Sequence, residues 1–190
     1  MSINQYSFVS NGDRFPANMN FKQLGFLPRH IQDDLQNTAE YQIKSKVKKE
    51  NLTLFINCFL NESSEQVFKP ENISDFYNLS KEFEKDDLTD RIEREFSDLL
   101  RISFLTSATT TKGDISDSEE YIAEHLDAFL SMHRSDMYNF QLSTLYNIFF
   151  HQKRILRDEN LAYKFITENP RNDSNLFVLL GSLDSKNLNE

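Results

Sequence analysis

A chain of 190 residues, 38% hydrophobic and 27% charged, carries enough apolar side chain for one large domain or two small ones. Its formal charge of −9 excludes the broad basic footprint that phosphate backbones demand, so no nucleic-acid partner is expected. With 4 Gly and 4 Pro the composition disfavours Gly-loop enzymes and long flexible linkers, and with no Trp the 17 Phe must supply the large rings.

Tyr6-Ser7-Phe8-Val9 has the pattern of a short strand, and Asn11-Gly12 after it is the strongest short-range hairpin signal. Asp13-Arg14-Phe15 is then expected to return antiparallel, with Pro16 ending the strand. Phe21 to Phe26 is apolar but short, and Pro28 is placed to open a short helix that buries Ile31 and Leu35. Tyr41, Ile43 and Val47 alternate with polar residues and predict a third strand from Glu40. Leu52, Phe55, Ile56, Phe59 and Leu60 recur at helical spacing and predict a helix with one apolar face.

Val67-Phe68 reads as a short fourth strand. Asn72 has the chemistry of an N-cap, Asp75 suits the first turn, and Ile73, Phe76, Leu79 and Phe83 form the buried stripe. Asp86-Asp87 open one further helix, with the stripe Leu88, Ile92, Phe96, Leu99 and Phe104.

From Thr106 to Ser118 the chain turns polar, small and non-periodic, which predicts an exposed loop between two parts. Beyond it only helices are expected. Ser116-x-x-Glu119 is a capping box leading into Ile122, Leu126, Phe129, Leu130 and His133. Phe140, Leu142, Leu145, Ile148 and Phe149 mark a second helix. Asp158 caps a third, burying Leu161, Ala162, Phe165 and Ile166, and Asn169-Pro170 stops it. Leu176, Phe177, Leu179 and Leu180 make a fourth, with Gly181 at its C-terminal end. Leu183 to Leu188 reads as the approach to another helix, so the natural chain is expected to continue past Glu190.

Chemistry finds little foothold. Cys58, the single cysteine, excludes an internal disulfide and a cysteine zinc site, and its apolar setting suggests a buried small hydrophobe. His30, His125, His133 and His151 are scattered; only His125 and His133, eight apart, approach one helix face. No nucleophile elbow, dinucleotide loop or P-loop is present. Glu82, Glu84, Asp86 and Asp87 cluster at a helix junction, where acids cap helices and solvate turns. The runs Lys44 to Lys49 and Lys153-Arg154 with Arg157 are solvated faces without interleaved aromatics. The sequence assigns no catalytic, cofactor-binding or metal-binding residue and marks no partner-binding face. Met1 to Val9 lacks a signal pattern, and no run nears the ~20 apolar residues of a membrane span. The expected setting is intracellular, cytoplasmic or nuclear, with no membrane partner.

The Phe8 to Phe15 hairpin, the Leu52 to Leu60 helix and Val67-Phe68-Lys69-Pro70-Glu71-Asn72-Ile73-x-x-Phe76-Tyr77-x-Leu79-Ser80-x-x-Phe83 follow one another in a definite order. Hairpin, short helices, strand, helix, strand, helix, helix: this order resembles a BTB/POZ domain. Met137-x-x-Phe140-x-Leu142-x-x-Leu145-x-x-Ile148, then Asp158-Glu159-Asn160-Leu161-x-x-x-Phe165-Ile166, resembles a BACK region. The resemblance implies an α+β class, a small mixed sheet capped by helices over residues 1–105, a linker over 106–118 and an all-helical part over 119–190. It also implies a non-catalytic scaffold that binds protein partners or a second copy of itself, with a ubiquitin-ligase adaptor role among the family's uses. Cullin-binding members carry a "hydrophobic, x, Glu" element; the nearest match is Ile31-Gln32-Asp33, with Asp in place of Glu. The chain also starts too near the hairpin to carry the extra N-terminal strand that swaps in some BTB dimers. The competing reading is an all-helical scaffold, unrelated to BTB, that takes a peptide in a groove.

Overall fold

The computed structural model describes residues 4–60, 68–107, 110–170 and 173–184. Two compact units divide the chain, residues 1–100 and 101–190.

The first unit is built on a hairpin. Strand β1 (Asn4–Ser10) turns through Asn11 and Gly12, both at positive φ (53° and 86°), into the antiparallel strand β2 (Asp13–Met19). Left-handed backbone at both turn positions matches the twist of the strands it joins, which is why Asn-Gly serves here. Pro16 does not end β2, contrary to the sequence expectation. The Ser7 N–H donates to the Ala39 carbonyl on the other side of β1, so Ser7 and Pro16 form a non-hydrogen-bonded pair. The missing N–H of Pro16 therefore faces the free edge, where it costs the ladder nothing.

A reciprocal box follows. The Asn20 N–H donates to Gln23 Oε1 at 3.0 Å and the Gln23 N–H to Asn20 Oδ1 at 2.9 Å, starting α1 (Phe21–Leu24). Pro28 precedes α2 (Arg29–Thr38), which buries Ile31 and Leu35. Ala39 at φ 59° closes that helix and hands the chain to β3 (Glu40–Gln42). This strand pairs parallel to β1, so the sheet order is β2-β1-β3.

β3 begins where expected but stops after three residues. The reason is Glu82. Its carboxylate accepts the backbone N–H of Lys44 at 2.7 Å and of Ser45 at 2.9 Å, drawing them out of the ladder, and the Tyr41 hydroxyl at 3.0 Å. Glu82 ends α4 (Ile73–Glu82), and the next residues form a helix stop with Glu84 at φ 50° in the place glycine usually takes. The Lys85 N–H reaches back to the Ser80 carbonyl and the Glu84 N–H to that of Lys81.

Helix α3 (Lys49–Leu60) buries Leu52, Phe55 and Ile56 as its periodicity predicts; the side chains of Phe59 and Leu60 lie outside the described set. Asp75 does more than favour a first turn. It is buried, accepts the Lys48 N–H at 3.0 Å and the Asn51 side-chain amide at 2.7 Å, and so ties the start of α3 to α4. Val67 lies outside the described residues, and Phe68 belongs to no strand; its ring packs on Phe76 and Phe96. The single helix expected after Asp86 is two, α5 (Asp86–Glu95) and α6 (Ser97–Thr106), broken at Phe96.

Among its described residues the second unit has helices and no strand: α7 (Lys112–Glu124), α8 (Leu126–Met132), α9 (Arg134–Met137), α10 (Leu142–Phe149), α11 (Glu159–Thr167) and a 3-10 helix (Ser174–Ser182). The expected 106–118 loop is mostly helix, because α7 starts at Lys112. Thr111 is its cap, accepting the Asp114 N–H at 3.2 Å while its hydroxyl donates to the Asp114 carboxylate at 2.6 Å. Ser116-x-x-Glu119 thus falls inside the helix and caps nothing. Asp158 caps α11 as expected, accepting the Asn160 N–H at 3.0 Å.

Ile122, Leu126, Phe129, Leu145, Ile148, Phe149, Phe165 and Leu179 make the core of this unit. The last segment winds as a 3-10 helix, whose three-residue turn buries Leu176 and Leu179 but leaves Phe177 and Val178 each 51% exposed. Gly181 lies inside this helix without a positive φ, so it is not the expected cap. With three strands in the first unit, an all-helical architecture is excluded. The chain is α+β.

Two outcomes test these assignments. Burial, followed by the Glu82 charge and hydrogen bond, raises the Tyr41 hydroxyl pKa well above its ordinary 10.0. Above about pH 10 the folded state then holds a proton that the unfolded chain has lost, so the contribution of Tyr41 to stability is constant below about pH 10 and falls as pH rises further. Tyr41→Phe should flatten that alkaline fall, read by urea unfolding between pH 8 and 11. In the 3-10 helix, Leu179→Ala should cost about 2–5 kcal/mol and Phe177→Ala less than about 0.5 kcal/mol, read by thermal melts. Equal costs would mean a different register.

Candidate functional site

The residues singled out for chemistry do not converge. His30 lies 3.5 Å from the Glu84 carboxylate and packs edge-on to Tyr41. His125 sits at the junction of α7 and α8; its Nδ1 lies 2.8 Å from the Tyr121 carbonyl and its ring stacks on Tyr121 at 4.4 Å. His133 begins α9, 3.5 Å from Asp136 and packed on Phe129. Eight residues of sequence thus place His125 and His133 at opposite ends of α8. Among the described residues, no three His, Cys, Asp or Glu side chains are grouped to hold a metal ion. Cys58 is half-buried rather than buried.

The acidic cluster resolves into separate structural tasks. Glu82 binds backbone, Glu84 closes α4, and Asp86 and Asp87 lie in the first turn of α5. Of the basic residues, Lys48 and Lys49 meet Glu71 and Asp13, while Arg154 donates to the Phe149 and Ser182 carbonyls and holds the 3-10 helix to the end of α10. Asp127 on α8 accepts the N–H groups of Arg157 and Asp158, fixing the turn into α11.

The feature that none of these tasks explains is a cleft in the second unit. It has a volume of ≈ 400 Å³ and is lined by Ser116 and Glu119 of α7, Tyr146 and Asn147 of α10, and Phe150, His151 and Gln152 just beyond. Tyr146 and Phe150 lie one turn apart, on the side of α10 away from its buried stripe, and their rings stack at 4.4 Å. They are 46% and 41% exposed, which spends two large aromatic rings on solvent. The Asn147 amide donates to both oxygens of Glu119 at 3.0 Å, orienting that carboxylate along the cleft wall.

The apolar strip runs on past Phe150. A Cβ added to Gly181 would stand 3.8 Å from the Phe150 ring, so the 3-10 helix presents its one side-chain-free position to that ring. Residues three apart eclipse one another in a 3-10 helix, which puts exposed Val178 on the same side as Gly181. Tyr146 and Phe150 form an exposed apolar pair, with Gly181 against Phe150 and exposed Val178 one 3-10 turn before Gly181. α7 carries Asp114, Asp117, Glu119, Glu120 and Glu124 against Lys112 alone. Lys153 neutralises part of this, binding Glu120 and lying 4.0 Å from Glu124.

Sequence reasoning missed this edge. Its signal was available in Tyr146 and Phe150, an aromatic pair at i, i+4 outside the stripe of Leu145, Ile148 and Phe149. Val178 had no such signal, because only the 3-10 winding turns it outward.

No helix among the described residues is long and apolar enough to cross a membrane. The fold is α+β with a helical second unit. No protein-family model matches the chain, and neither a curated protein nor a solved structure matches it.

The Lys153 ammonium donates a hydrogen bond to Glu120, which holds the Glu120 carboxyl below its ordinary value of 4.5. Lys153→Met should return that carboxyl to its ordinary range in an NMR titration and leave the melting temperature unchanged, because both partners are exposed.

Proposed function

We propose that the chain is a non-catalytic protein-interaction scaffold of BTB–BACK type, the first unit being the BTB/POZ-like part and the second the BACK-like part. The observation that carries this reading is the order of elements. A hairpin, two short helices, a parallel strand and a helix are followed by α4 and α5 in the first unit, without a strand at Phe68 and with Val67 outside the described residues, and the described part of the second unit has helices as its only regular elements. Of the side chains considered for chemistry, Glu82 binds backbone N–H groups, Glu84 lies beside His30 and His125 packs on Tyr121, roles that fit a binding protein. The exposed Tyr146, Phe150 and Val178 edge supplies a surface of the kind partners cover.

Partners are other proteins or a second copy of the chain. An adaptor role toward a ubiquitin ligase belongs to the same proposal. In Ile31-Gln32-Asp33, Ile31 is buried and Asp33 exposed, so the acid is presented although shorter than the Glu of cullin-binding members.

Light scattering coupled to size exclusion, over a hundredfold range of concentration, tests self-association of the 22.4 kDa chain. Crosslinking in cells tests for other partners. The scaffold reading expects a mass that rises toward the dimer or a defined crosslinked partner. A strict monomer that crosslinks to nothing overturns it.

A further inference from the structure

The geometry points to a specific occupant for the cleft of the second unit: a peptide segment that presents an apolar side chain flanked by Lys or Arg. This rests on the scaffold reading above and names the binding face and partner chemistry within it.

Two properties of the cleft select that occupant. The first is its apolar edge. Tyr146 and Phe150 are stacked and exposed, and Val178 extends them across Gly181, so an aliphatic or aromatic side chain can be covered there. The second is charge. Glu119 of α7 lines the cleft, and α7 as a whole carries one lysine against five carboxylates, two of them beside Lys153.

Glu119 is preorganised rather than spent. Asn147 supplies one amide nitrogen to its two oxygens, and a carboxylate offers about four acceptor positions, so it can take a guanidinium or ammonium as well. The exposed rings contribute in the same direction, since their faces attract cations. The molecule already uses that contact inside this unit, with Arg101 over Tyr121 at 5.5 Å and Arg134 over Tyr138 at 5.9 Å. An acidic segment would meet α7 as like charge, and a purely apolar one would leave Glu119 facing an apolar partner.

The test uses the full chain and two fluorescein-labelled peptides, Lys-Leu-Lys-Lys-Leu-Lys and Glu-Leu-Glu-Glu-Leu-Glu, followed by fluorescence anisotropy at two salt concentrations. Binding of the basic peptide alone, weakened by salt, is expected. Phe150→Ser and Glu119→Gln should each lower its affinity about tenfold, with melting curves showing that both variants fold. Tyr146→Ser serves in place of Phe150→Ser if that variant does not fold. Equal binding of the acidic peptide, absence of binding, or affinity indifferent to these substitutions overturns the proposal. A dimer that dissolves in the same variants while the basic peptide goes unbound also overturns it, in favour of a second copy on this face. In both cases a crosslinked partner or a dimer leaves the scaffold reading standing, so the two fail separately.

Discussion

Phenylalanine ring packing is the interaction on which both units depend. In the first, the Phe83 ring lies 5.2 Å from Phe55, 5.7 Å from Phe8 and 6.4 Å from Tyr41, so one side chain joins α3 to two strands of the sheet. In the second, Phe165 stacks on Tyr138 at 4.7 Å and on Phe149 at 5.8 Å, while Phe129 meets Tyr121 edge-on. Such ring pairs contribute about 0.5–1.5 kcal/mol beyond the area they bury, and a chain without tryptophan must draw on them repeatedly.

Position matters as much as packing. Phe83 follows Glu82, and the two residues act on opposite sides of the same helix end. The ring enters the core; the carboxylate reaches the backbone beyond β3 and ends that strand. Glu84 then takes the left-handed conformation, which for a residue with a Cβ is costly, and the surrounding hydrogen bonds hold it there. A chain with few glycines closes its helices with Ala39 and Glu84 instead, and ordered neighbours bear the strain.

The second unit shows how a surface arises from a change of helix type. An α-helical turn over Leu176 to Leu180 would bury a wider stripe. The three-residue turn buries Leu176 and Leu179, leaves Val178 exposed, and brings Gly181 against Phe150. Arg154 secures that arrangement by bonding the carbonyls of Phe149 and Ser182 at once. The proposed binding edge is thus held by hydrogen bonds from the Arg154 guanidinium to backbone carbonyls and is presented without rearrangement, which lowers the ordering cost of binding.

The sequence by itself did not determine the buried polar residues Asn51, Ser74, Asp75, Ser80 and Glu159, but it did determine the hairpin, the positions of α2, α3, α4 and α11, and the buried apolar residues described on those helices. These follow from local rules: the left-handed turn of Asn11-Gly12, the periodicity of Leu52 to Ile56, the cap at Asp158. Only tertiary structure decided that Pro16 continues β2, because the side of the strand that faces a neighbour is set by pairing with β1 and β3. Only it decided where β3 stops and what Asp75 binds, since those partners lie 37, 38, 27 and 24 residues away in the chain. Of the exposed edge, Tyr146 and Phe150 are legible as an aromatic pair outside the stripe of α10, whereas the placing of Val178 depends on the 3-10 winding and on Gly181 packing against Phe150, which no local pattern carries.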